Sequence, residues 1–300
     1  MAMSTVTFDR IEVGSLWDKT TGSWQYVLAD RATKKAAIID PVLDYDPQAA
    51  ATSTDNADAL AAYVRDRDLT VAWILDTHPH ADHFSAAPYL AGIFDAPRAI
   101  GSKVVEVQKL WRDIYCLDGF ACDGSQWDRL FDDGDHFMVG DTEVRVMLSP
   151  GHTLASISYV TDEAAFVHDT LMMPDIGTSR ADFPGGSSHT LFDSIQRILA
   201  LPEDTALFVG HDYEKDGHTL GCCATVARHR AENIHVGKDR DEAAFVALRD
   251  TRDATLPLPK LMLAALQVNI RGGRVPEPET CGRSFLKIPL DYFTPPPGDN

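Results

Sequence analysis

The stretch Thr77-His78-Pro79-His80-Ala81-Asp82-His83 constrains this chain more than any other. It follows the apolar run Val71 to Leu75 and crowds three imidazoles and a carboxylate into one short loop. A strand ending in such a loop delivers its side chains at the C-terminal edge of a sheet, where ligand sites of layered α/β folds gather. Pro79 stiffens the loop between two of the histidines. Without a cation, these groups would repel one another's protons and leave donors unsatisfied, so the density of ligands points to metal.

Three further strand-like runs end in a histidine or an aspartate. Ser149-Pro150-Gly151-His152 follows Val144 to Leu148, His168-Asp169 follows Ala164 to Val167, and Gly210-His211-Asp212-Tyr213 follows Leu207 to Val209. The runs Tyr26 to Leu28, Ala36 to Ile39 and Ile157 to Val160 read as more buried strands. Helical spacing is clear at Ala57, Leu60, Ala61 and Val64, with Asp55 as the expected cap. It is clear again from about His189 to Leu201, with Ser188 as cap and Pro202 as stop. Strands mixed with helices predict an α/β fold class, α+β in its layering.

The interval from Val104 to Asp141, with Trp111, Trp127, Phe131 and Phe137, reads as irregular packed connections. After Cys222 helices are expected to about His235, from Asp241 to Arg249 and near Lys260 to Leu266. The expected division is a catalytic domain over residues 1–220 and a helical extension over 221–300, packed on it or forming a small subdomain.

Charge narrows the partners. With 27 Lys and Arg against 45 Asp and Glu, the formal net charge of −18 opposes association with phosphate backbones, so no nucleic-acid partner is expected. No run reaches the roughly 20 apolar residues of a membrane span, and residues 1–10 lack a basic segment followed by an apolar one. A cytoplasmic protein without a membrane partner is the expectation. The five cysteines are odd in number and form no CxxC pair, which suits reduced thiols better than a disulfide framework or a zinc ribbon.

The series THPHADH, Gly151-His152, His168-Asp169 and Gly210-His211 resembles the full ligand set of the metallo-β-lactamase superfamily, in matching order from Val71 to His211. The resemblance implies an αβ/βα sandwich: two β-sheets face to face, helices outside, metal along one edge. In the superfamily's binuclear hydrolases His78, His80 and His152 would hold one ion, Asp82, His83 and His211 a second, and Asp169 would bridge. A thioester hydrolase of the glyoxalase II type, acting on an acylglutathione, is one implied function.

A second resemblance points elsewhere. Gly177-Thr178-Ser179-Arg180-Ala181-Asp182-Phe183 is similar to a segment of persulfide dioxygenases, and His211-Asp212-Tyr213 resembles their HDY. That family implies one Fe(II) per chain, held by His78, His152 and Asp169, with zinc as a substitute or in a binuclear site. His80, Asp82, His83 and His211 would then stand behind the ligands or form a vacant second site. Two histidines and one carboxylate leave room for dioxygen beside a substrate sulfur, and glutathione persulfide or a related small persulfide would be oxidised to sulfite and thiol. By this resemblance Arg180 would face an anionic substrate or brace the metal-bearing loop, and Tyr213 would hydrogen-bond near the sulfur or only pack.

Other readings come from the residues alone. Arg180 with Asp182 reads equally as an internal ion pair. Arg271 and Arg274, with Lys260, form a candidate clamp for substrate carboxylates. His168 is expected to point away from the ligands, while His136, His189, His218, His229 and His235 are expected at the solvent or at caps. Phe84-Ser85-Ala86-Ala87 stands where glyoxalase-type hydrolases carry glycines. A metal-stabilised binding protein is the non-enzymatic alternative, and self-association stays open.

Overall fold

The computed structural model describes residues 3–214, 218–238 and 240–293. Alternation of apolar side chains on the two faces of each strand sets up two sheets lying face to face. In Lys35–Ile39, Ala37 and Ile39 point into the space between the sheets, while Ala36 and Ile38 point outward. Phe166 and Phe208 of the other sheet meet them, and their neighbours Ala165, Val167 and Leu207 face away. Tyr159, Phe131 and Phe137 close the same inner layer, each ring worth about 1.5–3 kcal/mol when fully withdrawn from water.

The first sheet runs Ser4–Thr7, Ile11–Trp17, Trp24–Asp30, Lys35–Ile39, Thr70–Leu75, Arg98–Gly101, Arg129–Phe131 in spatial order. Its first four strands are antiparallel neighbours and the remainder pair in parallel. The second sheet runs His136–Val139, Thr142–Leu148, Ile157–Val160, Ala164–His168, Ala206–Val209, Cys223–Thr225. A small third sheet joins Ala51–Ser53, Val42–Asp46 and Phe84–Ser85.

Strand direction decides where the chemistry lies. Thr142–Leu148 is antiparallel to Ile157–Val160, which is antiparallel to Ala164–His168, and Ala206–Val209 is parallel to the last of these. The three strands that precede His152, Asp169 and His211 therefore end on one edge. The first sheet reaches the same edge through the amide of Ile157, which donates to the carbonyl of Thr77 at 3.1 Å, and that of Trp24, which donates to Gly210 at 2.8 Å.

Helices cover both outer faces. Asp55–Asp66 and Ala87–Phe94 bury Leu60, Val64 and Leu90 against the first sheet. Ser188–Leu199 buries Leu191, Ile195 and Ile198 against the second, with Val226 of Val226–Glu232 and Phe245 of Glu242–Asp253 in the same cluster. Residues beyond 220 thus supply the edge strand Cys223–Thr225 and pack on both layers, since Met262, Leu266 and Ile270 join the cluster of Trp111, Ile114 and Trp127. Among the described residues no helix is long and apolar enough to cross a membrane.

Several expectations need correction. The interval from Val104 is not irregular: Val104–Tyr115 is a helix whose Val104, Val107, Trp111 and Ile114 share one buried face, followed by strands Arg129–Phe131 and His136–Val139. Its aromatic residues hid a helical period. Asp55 lies inside its helix, after Thr54, and Ser187 rather than Ser188 caps the next by accepting from the Thr190 amide. His229 and His235 are buried, and His218 is enclosed between Asp175 and Asp212 at 2.7 Å from each, because the segments after the last strands fold back over the sheet edge.

One contact ties the C-terminal helix Met262–Asn269 to the histidine-rich loop. The Asn269 amide donates to the carbonyls of His80 and His83 at 2.8 and 2.7 Å and accepts from the Ser85 amide at 2.9 Å. Asn269→Ala leaves three buried backbone groups unpaired and is expected to cost ~3 kcal/mol, read as a lower denaturant midpoint with an unchanged slope. An unchanged midpoint would show that the loop holds its shape without this clamp.

Candidate metal centre

The site is built at the strand tips. Asp40 follows Lys35–Ile39 and receives the Thr77 amide at 2.7 Å, the Thr77 hydroxyl at 2.8 Å and His80 Nε2 at 3.0 Å. The Thr77 hydroxyl is thus spent as a donor, and its oxygen accepts from His78 Nδ1 at 3.1 Å. His78 then presents an unprotonated Nε2, which is buried and has no hydrogen-bond partner among the described residues. His152 is fixed in the same way, with Nδ1 donating to the carbonyl of Arg180 at 2.8 Å and Nε2 turned to Asp169.

Asp169 completes the set. Its Oδ2 lies 4.0 Å from His78 Nε2 and 3.6 Å from His152 Nε2, and the donor atoms of these three buried residues all lie within 4.8 Å of one another. A β-bulge between Phe166 and His168 re-aims the end of that strand, and His168 takes a φ of 40°. His168 does not join the ligands: its ring sits 5.0 Å behind that of His78 and bonds Ser149 and Thr170. Gly210 is needed because a Cβ there would lie 2.3 Å from Asp169 Oδ1. Gly151, at a φ of 127°, passes Leu191 so closely that a Cβ would lie 2.3 Å from its backbone.

The remaining four residues of the motif series behave differently. His211 spends both nitrogens on carboxylates, Nδ1 on Asp169 Oδ1 at 2.6 Å and Nε2 on Asp82 Oδ2 at 2.7 Å. His83 donates from Nδ1 to the same Asp82 oxygen at 2.8 Å, and Ser23 donates its hydroxyl there at 2.7 Å. His80 Nδ1 and His83 Nε2 are buried without partners. Among the described residues, His80, Asp82 and His83 form one further group with metal-compatible spacing, and Asp82, Asp169 and His211 another.

Electrostatics separates the two halves. Burial, and then neighbouring His80, His168 and His152, hold His78 well below the usual imidazole range, so it stays a neutral donor. Burial also lowers His152, against the pull of Asp169. Burial opposes charge on His211 too, yet Asp169 and Asp82 hold it well above the usual value, while its proximity lowers both carboxyls. His80 is likewise raised to about 9, burial being outweighed by Asp40 and then Asp82 and Asp76.

Beside these ligands lies a cavity of about 470 Å³ bordered by Met172, Ile176, Phe183, Tyr213, Leu256 and three arginines. Arg180 pairs with Asp182 through Nε and Nη2 at 2.6 and 2.7 Å and donates to the Pro257 carbonyl, so the bracing role anticipated for it has a geometry. Arg249 is buried against Asp253, whose other oxygen accepts from the Ala181 amide, while Arg252 borders the cavity with no ion pair among the described residues. Tyr213 is half-exposed and stacks on His211 at 6.0 Å. The clamp expected from Arg271 and Arg274 is not at this cavity: Arg271 donates to the Gln267 carbonyl and covers the Phe120 ring, and Arg274 is exposed elsewhere. Lys260 borders an adjoining cleft instead.

Asp40, Ser23, Asn269 and the Arg249–Asp253 pair escaped sequence reading. Asp40 alone left a signal, an acidic residue directly after an apolar strand that adjoins the one delivering the motif.

Comparisons agree with this geometry. Residues 19–211 match the profile described as Metallo-beta-lactamase superfamily. A beta-lactamase hydrolase-like protein of Xylella fastidiosa is 58% identical over 93% of the chain, which spans 64% of that relative's length. Glyoxylase B2 of Dictyostelium discoideum is 45% identical over 95% of the chain and 98% of its own. Human mitochondrial persulfide dioxygenase ETHE1 is 26% identical over 86% of the chain and 87% of its own length. The crystal structure of ETHE1 from Myxococcus xanthus superposes with a TM-score of 0.69 at 28% identity, covering 91% of this chain and all of that one.

The raised His80 carries a test. Its folded value of about 9 exceeds the unfolded 6.5, so the stability it contributes is complete below 6.5 and is lost as pH rises towards 9. The thermal midpoint of metal-free protein should fall across that window, and Asp40→Asn should flatten the fall. Equal slopes in both proteins would contradict the His80–Asp40 pairing.

Proposed function

Because the chain belongs to the metallo-beta-lactamase superfamily and offers one ion a set of two histidines and a carboxylate, we propose that it is an iron-dependent persulfide dioxygenase. The substrate would be glutathione persulfide or a related small persulfide, and dioxygen and water would convert it to sulfite and free thiol. The observation that carries this reading is the buried cluster of His78, His152 and Asp169, whose donor atoms all lie within 4.8 Å of one another. The unpartnered Nε2 of His78 and the outward Nε2 of His152 suit a metal, and Asp169 supplies the anionic donor.

Fe(II) in this set would supply the redox chemistry by which dioxygen oxidises the terminal sulfur, leaving coordination positions open for both. The chain's own residues do the rest. Thr77 and the Arg180 carbonyl fix the ring orientations of His78 and His152, and the Ser179 hydroxyl donates to the main-chain carbonyl of Asp169. Met172, Ile176, Phe183 and Leu256 keep water from the reacting sulfur. Arg252, at the rim of the cavity, would hold a carboxylate of the thiol carrier. Similarity to ETHE1 proteins supports this reading.

The second reading is a binuclear thioester hydrolase. It is favoured by the buried, unpartnered His80 Nδ1 and His83 Nε2 and by the likeness to glyoxylase B2. One experiment separates the two: anaerobically iron-loaded protein receives glutathione persulfide while oxygen and sulfite are followed, and S-lactoylglutathione is offered to the same sample. Oxygen uptake matched by sulfite, with little thioester cleavage, is the expected result. Thioester hydrolysis without oxygen uptake would overturn it.

A further inference from the structure

Among the five cysteines Cys222 and Cys223 are neighbours in sequence, and the chemistry at the histidines leaves them without a role. They sit where the second sheet ends. Cys223 opens the edge strand Cys223–Thr225 opposite Phe208, and the Cys222 carbonyl accepts the Val209 amide at 3.0 Å and the Tyr26 hydroxyl at 3.3 Å. Both residues pack against the layer between the sheets and stay partly exposed. A thiol at such a rim is open to a small reagent and close to groups that set its charge.

The first sheet supplies one of those groups. Ser15 lies directly across from Tyr26, two residues after Val13, so its hydroxyl faces the same inner layer. From there Ser15 hydrogen-bonds the Cys222 sulfur, and so does the Cys223 thiol. The Ser15 oxygen is 2.7 Å from that of Ser4, which can donate to it and leave the Ser15 proton for sulfur. Two donors on one sulfur favour its thiolate. Cys223 first, and Ser15 after it, outweigh burial and bring Cys222 down to about 7, while Cys223, as the donor, is raised. Burial raises Cys122 instead.

We propose that Cys222 and Cys223 form a thiol-modification site, at which Cys222 exchanges with small disulfides such as glutathione disulfide and Cys223 is the positioning residue that hydrogen-bonds its sulfur. The Cys222 thiolate attacks one sulfur of the disulfide. A bond forms between the two sulfurs, the old sulfur–sulfur bond breaks, and the departing thiolate carries off the electron pair and takes a proton from water. Cys222 is thereby oxidised to the mixed disulfide and the leaving sulfur is reduced. The adduct stands beside Val209, two residues before His211.

The test maps the adduct. Intact protein is incubated with glutathione disulfide near neutral pH, free thiols are blocked in acid, and peptides are sequenced by mass spectrometry. The adduct should appear on Cys222 ahead of the exposed Cys116 and Cys281. The rate of iodoacetamide labelling at Cys222 against pH then reads the part of Cys223. Wild type should show a midpoint of about 7. Cys223→Ala should move it towards ~8.5 and slow labelling at neutral pH roughly threefold, the lost thiolate being partly offset by higher nucleophilicity. Cys223→Ser, which keeps a donor, should restore the wild-type profile, with melting curves verifying each fold. Ser15→Ala gives a second upward displacement should Cys223→Ala be unstable. Labelling of Cys222 no faster than Cys116 and Cys281, or one midpoint in wild type, Cys223→Ala and Ser15→Ala, would overturn the proposal.

Discussion

Two carboxylates, the buried Asp169 and the partly exposed Asp82, share the imidazole of His211, and the remainder of the ligand edge is arranged around that pairing. Two anions so close together, one of them buried, need positive charge nearby, supplied by bound metal or by protons on neighbouring rings. In this chain one proton source is His211 itself, held charged by the two carboxylates it joins. That leaves His78 and His152, kept neutral by burial, as the lone-pair donors beside Asp169. The same residue types therefore divide into a pair of imidazoles turned towards Asp169 and a set joined by hydrogen bonds around Asp82, and the division follows from which nitrogen each neighbour occupies.

The edge exists because the sheets deliver it. Two antiparallel steps and one parallel pairing bring the ends of three strands of the second sheet to one side, and the Thr77 carbonyl and Trp24 amide fasten the first sheet there. Helical segments beyond residue 220 act on the site from a distance. Asn269 fixes the carbonyls of the histidine loop, and Asp253, paired with Arg249, anchors the amide of Ala181 beside the carbonyl that orients His152. The described residues beyond 220 thus bear on the geometry of the motif histidines from outside the clusters those histidines form.

Much of this was legible in the sequence. The strand and helix pattern gave a layered α/β fold, the resemblance carried by the ordered motifs implied the sandwich, and His78, His152, Asp169 and His211 all lie at the predicted strand tips. The helix Val104–Tyr115 was hidden because large aromatics blurred its period, and the helix caps slipped by one residue because serines and acids adjoin there. Ser23 and Asn269 could not be read from local pattern, since each acts across 59 or more residues of chain on a partner that only the tertiary fold brings near, and Asp40 left only the mark of an acid after an apolar strand. Arg271 and Arg274 lie away from the cavity beside the histidines for the complementary reason: basic residues in an acidic chain carry no sign of which face they will occupy.

The most direct test of the central claim is a crystal structure of the iron-loaded protein with anomalous diffraction recorded at the iron edge. The account predicts one anomalous peak among His78, His152 and Asp169, with His211 still within hydrogen-bond distance of both Asp169 and Asp82. Two peaks astride Asp169, with His211 and His83 turned to the second, would contradict it.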